Sequence, residues 1–133
     1  MQRTVERIIN EYDKQGVILL PTDKLSPDVP DVADLATRQV VFNTNSSLVT
    51  QVPFRLAHEL LLFVHTEPYS HRMVAYHAYD VGNPDERMAN NQAIKFLMNI
   101  YMEETEEFNW LQFMEAYGIP SYLEERVKAF AIN

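Results

Sequence analysis

The chain contains no cysteine. That absence excludes a disulfide scaffold and any thiolate metal site, and it is compatible with a reducing compartment. The chain also lacks an apolar run near the roughly 18 residues that a membrane span requires. Its opening residues, MQRTVERIINEYDKQ, are charged and helical in pattern, without the apolar core of a signal peptide. A cytoplasmic protein with no membrane association is therefore expected. Positive charge is scarce too: 11 Lys and Arg stand against 19 Asp and Glu, for a net charge of −8. Like charge repels phosphate, so no direct nucleic-acid binding is expected. A basic protein partner is compatible with this sign, and acidity that serves only solubility is the plainer account of it.

What the chain does have is apolar material for one packed domain. Its 133 residues are 47% apolar and 11% aromatic, which suits a single core spanning residues 1–133. Residues 3–14 place Val5, Ile8, Ile9 and Tyr12 at spacings of three and four. That is one face of an amphipathic helix, and Gly16 stops it. Val17 to Leu20 is a short apolar run closed by Pro21 and reads as a strand. Residues 21–35 set Pro21, Pro27 and Pro30 among turn-favouring aspartates, so a covering loop is expected, pinned by Val29, Val32 and Leu35. Thr37 to Asn43 reads as a second strand, closed by the turn residues Asn43, Thr44 and Asn45. The two strands predict a small antiparallel sheet, to which the covering segment could add a third.

Ser46 and Ser47 offer caps ahead of the next helix. Pro53 suits a first helical turn. From Phe54 to Val64 the apolar residues fall on most sides of a helix, which places it in the middle of its domain. Pro68 ends it. Residues 69–85 read as a connection with a short helix or strand near Met73 to Tyr76. Asn83 to Glu86 opens another helix, with Met88, Ala89, Ala93, Phe96, Leu97 and Ile100 as its inward stripe. The acidic run Glu103 to Glu107 reads as a solvated break, not a metal cluster. Phe108 to Tyr117 forms a further helix that Gly118 terminates. Ser121 and Glu124 have capping-box spacing before a last helix, with Val127, Phe130 and Ala131 inward. The fold class expected is α+β, with a small, mainly antiparallel sheet packed on a central helix and further C-terminal helices.

The chemistry concentrates in the central stretch FRLAHELLLFVH, where His58 and Glu59 are adjacent. A zinc-peptidase helix carries two His four residues apart. Four residues advance about 400° and rise about 6 Å, so both imidazoles meet one ion. The Glu after the first His takes a proton from the metal-bound water. Here the fourth position on is Leu62. His65 shares a face with His58 but lies about 10.5 Å along the axis, too far for one ion in a continuous helix. His71 and His77 have no spacing that requires them at the site. Taken alone, His58 and Glu59 read as buried polar residues satisfied by hydrogen bonds.

Two flanking patterns set that pair in context. Before it stands Val40-Val41-Phe42-Asn43, a polar turn, then Arg55-Leu56-Ala57-His58-Glu59-Leu60. After it come Asp85-Glu86-Arg87-Met88-Ala89-Asn90 and the run to Leu97-Met98. In order and spacing these resemble the ImmA/IrrE family of metallopeptidases, in its short phage or prophage form. The resemblance is best over residues 37–100. Residues 3–20 and Tyr117-Gly118-Ile119-Pro120 are also similar to that form. It implies a zincin-like fold, with His58 as first zinc ligand, Glu59 as general base and Glu86 as third ligand. Arg55, Asn90 and His65 are candidates for supporting positions around them. The family's second His falls on Leu62, a side chain that binds no metal.

Three readings follow. In the first, the chain is a non-catalytic member of that family that binds a helix-turn-helix repressor of a phage or mobile element, or a similar protein partner, and carries no cofactor. In the second, it is an active zinc peptidase whose ligands are His58, Glu86 and one of His65, His71 or His77. In the third, it is an unrelated interaction domain with His58 and Glu59 as core polar residues, and Glu86 merely favours a helix dipole.

Overall fold

Thr4, Ile8 and Tyr12 recur every fourth residue and form the buried face of α1 (Gln2–Lys14), while Ile9 points outward. The computed structural model describes residues 2–48, 51–65, 73–75 and 84–132. Helix α1 ends where Gly16 takes φ +68° and Val17 N–H reaches back to the Tyr12 carbonyl at 3.0 Å. This left-handed closure satisfies carbonyls that the helix end leaves open. It feeds the chain directly into β1 (Ile18–Thr22).

The sheet has four strands in the order β1-β3-β2-β4, with β2 at Val32–Asp34, β3 at Gln39–Asn43 and β4 at Met73–Ala75. It is mixed. The two strands legible in the sequence, β1 and β3, pair parallel in the register Ile18↔Gln39 to Thr22↔Asn43. An antiparallel pair was expected. The reason is β2, which forms a hairpin with β3 (Val32↔Val41, Asp34↔Gln39) and reverses the chain before β3 begins. β2 also pairs antiparallel with β4. The hairpin turn is built by Asp34, whose Oδ1 accepts from Ala36 N–H at 3.1 Å and Thr37 N–H at 3.4 Å. Arg38 completes it at φ +55°.

Pro21 does not end β1 but lies within it. Ile18 N–H bonds the Arg38 carbonyl and the Thr22 carbonyl accepts from Thr44 N–H, so residues 18, 20 and 22 face β3 and Pro21 faces the free edge. A residue without an N–H is tolerated there and blunts further strand pairing.

The central helix α2 (Val52–His65) packs between α1, the sheet and α3 (Pro84–Glu104). Every residue from Phe54 to Phe63 is buried, as its near-continuous apolar composition requires. Helix α3 presents Ala89, Ala93, Ile94, Leu97, Ile100 and Tyr101 inward, whereas Met88 is exposed. Helix α4 (Trp110–Tyr117) starts at Asn109, whose side chain accepts from Gln112 N–H, and stops at Gly118 with φ +69°. A short 3-10 turn, Ser121–Leu123, precedes α5 (Glu124–Ile132). Ser121 is therefore inside a turn and not the cap of a capping box, and Ala131 is exposed where an inward position was expected. Likewise Ser46 closes a local turn by accepting Leu48 N–H at 3.1 Å. Among the described residues no helix is long and apolar enough to cross a membrane.

One buried ion pair ties these layers together. Arg55 on α2 donates from Nε and Nη2 to the two carboxylate oxygens of Asp31, both at 2.8 Å. Its Nη2 also reaches the Asn43 carbonyl at 2.9 Å, and its guanidinium lies 4.3 Å from the centre of the Phe42 ring. Removing one partner of such a pair strands the other charge in the core. We expect Asp31→Ala to lower the unfolding free energy by about 3–5 kcal/mol in urea titration. Glu103→Ala, which removes the exposed partner of Arg7, should cost under about 1 kcal/mol.

Candidate functional site

Helix α2 turns His58 and Glu59 about 100° apart, yet both are fully buried because the helix is covered on more than one side. Helix α3 begins beside them. Glu86, in its first turn, and Asn90, one turn later, are also buried. His58 Nε2 lies 2.6 Å from Glu86 Oε2, so residues 28 positions apart in the chain meet across the α2–α3 contact. The N-terminal turn of α3 favours a carboxylate at Glu86. The ring of Phe54 stands 5.9 Å from that of His58, centre to centre.

Glu59 has no such partner. Neither of its carboxyl oxygens makes a hydrogen bond among the described residues, nor does Asn90 Oδ1. Burial pushes the Glu59 pKa well above the usual carboxylate range, and the negative charges of Asp31 and Glu86 push it further; Arg55 opposes them more weakly. Arg55 is engaged by Asp31, as described above. The physical result is a carboxyl whose surroundings favour its neutral form.

The zinc implied by the family resemblance can be tested against these residues. A catalytic zinc takes three protein ligands at about 2.0–2.1 Å and keeps a fourth position for water. His58 and Glu86 are present and adjacent, but they contact each other directly. The position one turn after His58 is Leu62, 1% exposed and part of the core. Among the described residues no group of three His, Asp or Glu side chains forms a cation site. Among the described residues His58 and Glu86 supply two ligands and there is no third, which does not fit a catalytic zinc centre. His71, His77 and the side chain of His65 lie outside the described residues.

The structure therefore brings together His58, Glu59 and Glu86, with Asn90 buried one turn after Glu86 on α3. It turns Arg55 to a different role. A supporting position beside His58, Glu59 and Glu86 is expected for Arg55; its guanidinium forks onto Asp31, while its charge still acts on Glu59. Asp31 was not singled out at all. It is one of several aspartates in a proline-rich stretch, and only its setting between Pro30 and the strand residue Val32 distinguishes it. Asn43 was read as a turn residue. It is fully buried, and its side-chain amide donates to the Ser26 and Val29 carbonyls at 2.8 Å. No protein-family model, no curated protein and no solved structure matches the chain.

A raised folded-state pKa has a fixed sign in stability. Below the unfolded carboxyl pKa, about 4.3, Glu59 is protonated in both states. Above it the unfolded chain ionises first, so stability falls as pH rises toward the folded pKa. Glu59→Gln removes this loss. The variant should melt higher than the parent at pH 8, with a smaller gain at pH 5, in thermal unfolding with chelator present. A variant less stable than the parent at pH 8 would mean that Glu59 is charged and paired.

Proposed function

We propose that this chain is a degenerate, zincin-like domain of the ImmA/IrrE kind that acts by binding and not by hydrolysis. Its partner is a helix-turn-helix repressor of a phage or mobile element, or a protein of similar character. The observation that carries this reading is the approach of His58 to Glu86 at 2.6 Å. The resemblance alone assigned both residues to one zinc ion, and an unrelated domain has no need to bring them together. Leu62 supports the non-catalytic half. At the second ligand position it adds a buried aliphatic side chain to the core, and without a third ligand no bound water is activated. A net charge of −8 suits a partner whose own DNA-binding surface is basic.

The active-peptidase reading needs a third ligand from His65, His71 or His77, and nothing among the described residues favours it. Metal analysis separates the two. Protein purified without chelator should hold less than about 0.1 zinc per chain, by comparison with the full occupancy of a three-ligand site. Leu62→His should gain about one zinc per chain, lost again when His58→Ala is added. Stoichiometric zinc in the parent chain, removed by His58→Ala, would overturn the proposal. Failure of a folded Leu62→His variant to bind zinc would remove the family resemblance itself. Mixed with a helix-turn-helix repressor encoded beside its gene, the parent chain should form a complex in which the repressor stays uncut.

A further inference from the structure

Far from His58 in sequence, the end of the chain builds a second feature. Helix α4, the Gly118 reversal and the turn before α5 enclose a groove of about 440 Å³ that reaches Gln51 at the start of α2. That volume is within the range that takes a ligand or a few side chains. Trp110, Leu111 and Met114 form one wall, and Ile119 and Pro120 the other. Leu111 is 50% exposed, although it stands among core residues of the same helix. Trp110 is half-buried and is the only tryptophan of the chain.

The charged residues that line this apolar cleft, Glu115 and Glu124, are acidic, with one lysine beside them. Lys128, the nearby cation, is already held by Glu124 at 3.1 Å and lies over the Trp110 ring at 4.3 Å, so it neutralises Glu124 and leaves Glu115 exposed. Gln51, at one end, has a buried side-chain oxygen without a hydrogen-bond partner among the described residues, an acceptor short of a donor. An aromatic and aliphatic floor with acidic and acceptor groups at the rim is complementary to a bulky apolar side chain flanked by Lys or Arg. A second copy of this chain would meet the groove with its own net charge of −8, which opposes close approach.

We propose that the groove between α4 and the turn leading into α5 is a docking site for a basic protein segment that inserts an aliphatic or aromatic residue against Trp110 and Leu111. The site is separate from His58 and Glu86, and it stands whether or not the peptidase resemblance does. A docked side chain removes water from the Trp110 ring, and the flanking cations replace counter-ions around Glu115.

Trp110 makes the test specific, because all tryptophan emission comes from this groove. The full chain is titrated with a synthetic amidated peptide, Lys-Arg-Leu-Phe-Lys-Arg, and with an analogue carrying Glu at the four basic positions. The basic peptide should give a saturable blue shift of Trp110 emission, weakening about tenfold between 50 and 300 mM salt, as expected for a few rim charges. The acidic analogue should give none. Leu111→Asp and Glu115→Lys change exposed positions, so both should keep the parent circular dichroism and melting midpoint while each weakens binding at least tenfold. No emission change up to millimolar basic peptide would overturn the proposal, as would an equal response to the acidic analogue or unchanged binding in both variants. A shift that follows protein concentration without peptide would assign the groove to a second copy and overturn it as well.

Discussion

The bidentate pair between Arg55 and Asp31 is the contact through which the sheet, the loop that crosses it and the central helix are held in one arrangement. Two parallel hydrogen bonds between a guanidinium and a carboxylate fix orientation as well as distance. The Asp31 carboxylate also accepts Asn43 N–H at 2.8 Å, at the end of β3. Asn43 in turn ties the Ser26 and Val29 carbonyls of the largely exposed segment 23–30 to the end of β3. With Phe42 beneath the guanidinium, the first turns of α2 are fixed against β3, and that sets where His58 and Glu59 lie three and four residues later.

The same electrostatics govern the polar cluster below. Arg55 is paired with Asp31, and its charge only partly offsets the burial of Glu59 and the charges of Asp31 and Glu86. His58 and Glu86 satisfy one another's approach across α2 and α3. Glu59 is left to lose its charge instead of its burial. Tyr12 adds a further constraint. Its hydroxyl donates to the Leu56 carbonyl at 2.6 Å, pinning α1 to α2 one turn before the cluster. A water-activating site keeps an open coordination position. This interior instead closes around Leu62, which is buried in the core.

Much of the framework was legible because local chemistry decides it. The stop signals at Gly16 and Gly118 hold, since both residues adopt the left-handed conformation that ends a helix. The central burial of α2 followed from apolar residues on most of its sides. The expected antiparallel pairing of β1 and β3 failed for a reason that local pattern cannot carry. Pairing direction depends on whether a third strand intervenes, and β2 is three residues long within a proline-rich loop. Ile9, Met88 and Ala131 are apolar yet exposed, because a periodic pattern marks which residues share a face but not where neighbouring helices stop covering it.

By itself the sequence determined the helices, their glycine stops at Gly16 and Gly118, the α+β class and the candidate pair His58 and Glu59, all of which depend on residues a few positions apart. Only the tertiary structure decided that His58 meets Glu86, that Arg55 belongs to Asp31, and that burial raises the Glu59 pKa. Each of those outcomes is a competition between charged groups for a few partners in a medium that screens poorly. Such a competition is resolved by distances across the fold, and no spacing along the chain contains them.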